Sequence, residues 1–355
     1  MATLRCGVVG LGRGKMFADI LSRVEGCTVV AVCDPRPQAF QGISGPECFT
    51  DYGKFLDRKL DVVAVVSPGP AHAEQSVQAL ERGAHVLCET PCVYSLEEAV
   101  SVVRAVRSTG RRYMLAENYI WLGWCVTLQR MAEQGRFGEI VYAEGDYTHD
   151  CRDLMLFDEG GFVPYAERAA HPNARRTWRA ISLPPIQYCS HTLGPLLRLM
   201  GDRVQSAFAL SICGHTPDLA PTDLESALLR TRGGATIRLT NGFTVAHPYC
   251  LYYKLVGTRG SAMVLNAGQL SLKWWSETDV AGPGWQDAPP EMLQRPDGRR
   301  DVEVMIEEFV RSIREDREPP IGLHESLDMT LPGTVAHESG RQGGVLLEVP
   351  DSREF

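Results

Sequence analysis

No apolar run in this 355-residue chain approaches the roughly 20 residues that a helix needs to cross a bilayer, so no membrane partner is expected. A β-like run opens almost at Met1 and leaves no room for a secretory leader, which makes a cytoplasmic location the expectation. Blocks of Lys or Arg are missing too, and the net charge is −8; nucleic acid, whose phosphates demand a basic surface, is therefore excluded as a partner. The eleven cysteines lack any paired spacing. Cys88 and Cys92 have no matching second pair, and Cys6, Cys33 and Cys88 lie inside apolar runs, so buried thiols are expected rather than disulfides or structural zinc. His149, Asp150, Asp153 and His191 form no compact ligand motif, and no metal is expected. Internal repeats and low-complexity tracts are absent as well, which leaves a globular chain whose length suggests about two domains.

What is present begins with glycine. Residues 3–9 form an apolar run that passes into Gly10, Gly12 and Gly14 and then a helix-like stretch beginning near Arg13. Glycines at a strand-to-helix turn let the backbone approach a pyrophosphate, whose charge is favoured by free N–H groups and the helix dipole. The third glycine of the G-x-G-x-x-G spacing is replaced by Lys15. A second buried-type run, 28–33, ends at Asp34, where a carboxylate would accept hydrogen bonds from an adenosine ribose. That carboxylate predicts NAD(H) in preference to NADP(H), with Arg36 as the nearby cation able to pair with a 2′-phosphate.

Strand and helix patterns then alternate: a run at 61–66, a helix opened by Pro70 and ending near Arg82, a run at 84–88, a helix started by the capping pair Ser95 and Glu98, and a run at 113–117. Such alternation predicts an α/β chain with an N-terminal doubly wound parallel sheet, ligands binding beyond the carboxyl ends of its strands, where Ser67, His72, Glu89 and Asn118 fall. After residue 122 the pattern changes to a helix at 124–133 and strands at 140–149, 204–210, 235–239, 252–256 and 262–265. The expected organisation is a nucleotide-binding domain at 1–122 and, at 123–355, a substrate-binding and oligomerisation α+β domain built on a large open sheet. One face of such a sheet needs cover, so a homo-oligomer, dimer or tetramer, is expected. Residues 280–300 read as a surface loop, and Met305, Ile306, Phe309, Val310 and Ile313 as one face of a helix.

Taken in order, Gly10-Leu-Gly12, Asp34, Ser67-Pro68 followed by His72, the segment 83–91, Gly138-Glu-Ile and the segment 343–350 resemble the Gfo/Idh/MocA oxidoreductases along essentially the whole chain. The resemblance implies an N-terminal Rossmann domain that binds NAD and a second domain that holds a sugar, glycoside or cyclitol as substrate. It implies hydride transfer to or from a ring hydroxyl carbon. Two departures stand out. The usual Glu-Lys-Pro is here Glu89-Thr90-Pro91, and the usual Asp-x-x-x-His is Gln187-Tyr-Cys-Ser-His191. With Glu117-Asn118-Tyr119, Tyr147-Thr-His149, Thr177-Trp178-Arg179 and His191-x-x-Gly-Pro195, the variant is similar to the branch containing NAD-dependent glycoside hydrolases of the α-N-acetylgalactosaminidase type.

That branch implies a cycle of oxidation at sugar carbon 3, elimination, water addition and re-reduction, which needs acid/base groups rather than two glycosidase carboxylates. His191 is the first candidate, because imidazole exchanges protons near neutral pH. Tyr188, three residues earlier, shares its face if the segment is helical, and Tyr147 and His149, two apart on a strand, lie on one side. The resemblance assigns Arg13, Asn118 and Trp178 to the cofactor with the glycines, and Tyr119 and Arg179 to substrate. Three activities are compatible: a net dehydrogenase, a glycosidase using the hydride transiently, and a non-catalytic NAD(H) or sugar sensor.

Overall fold

The computed structural model describes residues 3–159, 161–216, 218–279, 282 and 284–355. Residues 280, 281 and 283 of the expected loop lie outside them. The chain forms two compact units, one of Met1–Glu117, Asp301–Asp328 and Asp351–Phe355, the other of Asn118–Arg300 and Met329–Pro350. The division therefore differs from a single break after residue 122.

In the first unit, β1 (Leu4–Val9), α1 (Gly14–Arg23), β2 (Cys27–Cys33), β3 (Glu47–Phe49), α2 (Tyr52–Leu56), β4 (Val62–Val65), α3 (His72–Glu81), β5 (His85–Cys88), α4 (Leu96–Thr109) and β6 (Tyr113–Leu115) follow one another. The strands are all parallel, in the order β3-β2-β1-β4-β5-β6, which is the Rossmann order. Strands covered on both faces need continuous apolar sequence, and every residue of β4 is buried. At the start of α4, Ser95 Oγ accepts the Glu98 N–H at 3.2 Å, while Glu98 Oε2 accepts the N–H of Tyr94 at 2.6 Å, one residue further out than in a reciprocal capping box.

The second unit holds α5 (Gly123–Glu133), β7 (Ile140–Thr148), β8 (Leu156–Asp158), β9 (Gly161–Phe162), β10 (Arg175–Arg176), α6 (Trp178–Ser182), α7 (Ser190–Met200), β11 (Val204–Ile212), β12 (Leu224–Thr231), β13 (Thr236–Gly242), β14 (Cys250–Gly257), β15 (Gly260–Asn266), β16 (Leu270–Ser276), β17 (Gln286–Asp287) and the single turn α8 (Pro290–Leu293). The last two fall within the segment read as a loop. Then α9 (Asp301–Arg314) rejoins the first unit: its Val302, Met305, Ile306, Phe309 and Val310 are buried, it packs against α1, and Arg314 donates to the Gly26 carbonyl at 2.8 Å. α10 (Leu323–Arg341) and β18 (Leu347–Glu348) complete the chain.

Nine strands make the large sheet, in the order β17-β16-β15-β14-β7-β13-β12-β11-β18, with β7 parallel to β13 and antiparallel to β14. On its inner face a Cβ at Gly145 would lie 3.0 Å from Thr192 and 3.2 Å from Leu196, so glycine at mid-strand lets α7 settle closely on β7. The outer face carries the linked ions Arg238, Glu144, Asp146 and Lys254 and the exposed Leu210, Ile212, Leu228 and Leu265.

Candidate active site

The expected residues gather in two places, one in each unit. In the first, Gly10 has φ +85°, and a Cβ there would lie 2.4 Å from the backbone of Ser67. The third glycine is displaced rather than lost: a Cβ at Gly14 would meet Val8 at 3.0 Å and Val66 at 3.5 Å, so Gly14 takes the helix-packing task one residue early. A Cβ at Gly12 would meet nothing within 4 Å, leaving the turn open to a ligand at the start of α1. Arg13 Nε lies 3.3 Å from the buried Glu89 carboxylate.

Asp34, 2% exposed, is fully engaged. Its oxygens accept the N–H groups of Leu11 at 2.9 Å and Arg36 at 3.0 Å, and the Arg36 guanidinium binds both oxygens at 3.0 and 3.1 Å. Burial raises this carboxyl's pKa, but these hydrogen bonds and the Arg36 charge outweigh it and hold the group below the ordinary aspartate value. His72 is 1% exposed, with Nδ1 2.8 Å from the Pro91 carbonyl and Nε2 2.7 Å from that of Ser67. Its ring nitrogens thus tie together the loops that follow β4 and β5, and burial pushes its pKa down against the pull of those carbonyls. Ser67 Oγ donates to Gln75 at 2.5 Å. The buried Thr90 hydroxyl has no hydrogen-bond partner among the described residues. An open glycine turn at a helix start, a ribose-type carboxylate and an orphan hydroxyl fit a dinucleotide.

The second cluster is aromatic. His191 enters on the first turn of α7, 6% exposed, and its ring stacks on Tyr119 with centroids 4.1 Å apart and 7° between planes. Tyr188 and Tyr147 meet it edge-on at 5.0 and 5.7 Å. Tyr188 and His191 thus share a face, although Tyr188 belongs to a 3-10 turn at Pro185–Tyr188 that precedes the helix. That turn is anchored by Glu225, wholly buried on β12, whose Oε2 accepts the Ile186 N–H at 3.1 Å.

Tyr147, in the last turn-ward part of β7, and His149, one residue past its end, do lie on one side: their rings are 6.0 Å apart, with Tyr147 Oη 3.5 Å from His149 Nδ1. Burial pushes the His149 pKa below the usual imidazole value; Asp150 opposes this and Arg179 adds to it. The Arg179 guanidinium lies 4.7 Å from the Trp178 ring. Asn118 is buried just before the Tyr119 turn. Sequence reasoning missed Tyr249, which is 5.5 Å from His149 and 6.0 Å from Tyr147 by ring centroids and brings its hydroxyl 3.4 Å from that of Tyr119. Its one signal was an aromatic after Pro248 at the entrance to β14. Among the described residues, no three His, Cys, Asp or Glu side chains come together as a metal site.

A glycine-turn dinucleotide fold paired with a histidine and tyrosine cluster on an open sheet defines an oxidoreductase class. The family model described as oxidoreductase family, NAD-binding Rossmann fold, matches residues 4–117, and the Gfo/Idh/MocA C-terminal domain matches 125–263. The chain belongs to the Gfo/Idh/MocA family. Among its relatives, a glycosyl hydrolase family 109 protein of Porphyromonas gingivalis is 29% identical over 294 residues, covering 74% of this chain and 60% of that protein. The chain thus spans about 60% of that relative's length. A protein of the same description from Streptomyces niveus is 26% identical over 99% of this chain and 77% of its own. The fold is shared with scyllo-inositol dehydrogenase of Lactobacillus casei, solved with NAD(H) and scyllo-inositol: TM-score 0.74, 19% identity, 98% of this chain and 99% of that one.

Proposed function

We propose that the protein cleaves a glycoside through transient oxidation of its sugar, with NAD recycled in each turnover. The observation that carries this reading is the His191 site itself: an imidazole caged by Tyr119, Tyr147 and Tyr188, with His149 against the same Tyr147, and with Gln187 and Thr90 where a dehydrogenase of this family would carry carboxylate and lysine. Its relatives described as glycosyl hydrolase family 109 support it. Bound NAD would supply the acceptor for hydride from carbon 3 and return that hydride at the end. The chain's residues do the proton work. A ketone at carbon 3 acidifies the carbon 2 proton, which an imidazole, His191 or His149, is suited to remove as the anomeric substituent leaves. Burial, opposed by Asp150 and aided by Arg179, shifts His149 towards its neutral form, the one that accepts a proton. Tyr147 and Tyr188 supply hydroxyls to orient and protonate oxygen atoms, and Tyr119 and Arg179 hold the sugar. Gly10, Gly12, Arg13, Gly14, Asp34, Glu89, Asn118 and Trp178 would hold the cofactor, with Ser67 and His72 fixing the loops.

Cleavage of 4-nitrophenyl N-acetyl-α-galactosaminide in deuterated water tests the reading. Deuterium at carbon 2 of the released sugar is expected; release with that position still fully protonated, in enzyme opened to solvent exchange by repeated turnover, contradicts it. A second reading, net oxidation of a sugar or cyclitol hydroxyl, is favoured by the fold shared with the cyclitol dehydrogenase. We also infer a cytoplasmic homo-oligomer that covers the exposed leucines and Ile212 of the outer sheet face.

A further inference from the structure

A proline inside a helix leaves one carbonyl without its usual donor, and here that carbonyl belongs to His191. In α7 the N–H of residue 195 would bond the carbonyl of residue 191, four positions back; Pro195 has no N–H, and its ring pushes that carbonyl outward. The phenol of Tyr253 donates a hydrogen bond to this His191 carbonyl. Tyr253 is 1% exposed on the inner face of β14, its ring packed on Trp124 with centroids 4.6 Å apart, so the hydroxyl is delivered by a rigid, buried element. Phenylalanine would satisfy the packing alone, whereas a buried tyrosine hydroxyl needs a partner. Proline and tyrosine, 58 positions apart in the chain as 253 minus 195, thus act as one device.

We propose that Tyr253 is a positioning residue for His191: by replacing the helix bond that Pro195 deletes, it fixes the backbone from which the imidazole projects against Tyr119, Tyr147 and Tyr188. The inference rests on the reading of His191 as the acid/base group only for its effect on turnover; its effect on the ring's placement stands apart from that reading. Ring orientation in the cage is set by side chains, but the ring's origin is set by the backbone, and a shift of about 1 Å in a reacting group costs on the order of 100-fold in rate.

The test is a double-substitution cycle of Tyr253→Phe and Pro195→Ala in the full chain with NAD, read in two ways. Histidine 15N spectra assigned through His191→Gln report the imidazole, and release of 4-nitrophenol from 4-nitrophenyl N-acetyl-α-galactosaminide reports turnover. Tyr253→Phe is expected to shift the His191 ring resonances and lower kcat about tenfold, with KM changed less than about twofold. In the Pro195→Ala background, where an N–H again reaches the carbonyl, the same substitution is expected to leave the ring resonances in place and cost less than about twofold. Equal losses in both backgrounds, or a lower Tm with unshifted His191 resonances, overturn the proposal. Full turnover in His191→Gln would sink the acid/base reading instead, while the spectra would still decide whether Tyr253 places the ring.

Discussion

Replacing Asp34 by alanine removes the acceptor of four hydrogen bonds at once, two from backbone N–H groups and two from Arg36. The carboxylate is the only charged acceptor in that group, and charge-assisted bonds to a ligand hydroxyl are worth about 1.5–3 kcal/mol each. Loss of one such bond to ribose weakens NAD binding by about 10- to 150-fold. The stranded N–H of Leu11 adds a stability penalty of about 1–3 kcal/mol. Arg36→Ala acts oppositely: it frees both carboxylate oxygens, so NAD is expected to bind equally well or tighter while NADP, deprived of a partner for its phosphate, binds more weakly. Calorimetric titration of NAD and NADP into the wild type and both variants, with Tm recorded alongside, separates folding from binding. Wild-type affinity for NAD in a folded Asp34→Ala variant, or a wild type favouring NADP by tenfold, would refute the assignment.

The two glycines of the turn should behave differently. Gly10→Ala is expected to lower Tm sharply, because its φ of +85° and the 2.4 Å approach to Ser67 leave no room for a methyl, whereas Gly12→Ala, open on the protein side, should keep its Tm and lose NAD affinity; equal Tm losses would contradict this. Stability is expected to fall on the acid side. Burial first, then Arg111 and Arg112, depress His85 from 6.5 to about 4, so the unfolded chain takes up this proton earlier: the stabilisation is complete above pH 6.5 and is lost as pH falls towards 4. The full linkage is roughly 3 kcal/mol, reduced to about 1–2 by solvent screening of the half-buried ring. His72, His149 and His324, also depressed, act in the same direction. A flat Tm between pH 7 and 4.5, or a slope unchanged by His85→Gln, would count against it. Sedimentation should show dimers or tetramers at micromolar concentration, and Leu228→Glu on the outer sheet face should favour monomer; a wild-type monomer would contradict the inferred assembly.

The first unit was legible because its strands are short and mostly apolar, unbroken in β4 and interrupted only near the start of β1, β2 and β5 by Arg5, Thr28 and His85, and the loops after them carry Asp34, Ser67 and Glu89 where a doubly wound sheet puts ligands. The second sheet was harder to read. Its outer face keeps exposed leucines such as Leu210 and Leu228, so β12 lacks the polar alternation that marks a strand, and β16 mixes Lys273 with two tryptophans. The return of α9 to the first unit was hidden for a different reason: its apolar face shows that it packs, but not against what. Rings at 188 and 191 were paired correctly from their spacing, although a 3-10 turn rather than one helix brings them together. Tyr249 left no periodic trace, since a loop aromatic has its position fixed by the strand it precedes.

Hydride that leaves and returns within one turnover makes NAD catalytic, so the ratio of cofactor to product separates this cycle from net oxidation. With 4-nitrophenyl N-acetyl-α-galactosaminide and substoichiometric NAD, 4-nitrophenol release is expected to continue far beyond the amount of NAD, with no proportional rise in NADH absorbance. One NADH formed per sugar oxidised, with the glycosidic bond intact, would contradict a returned hydride and establish net dehydrogenation for that substrate.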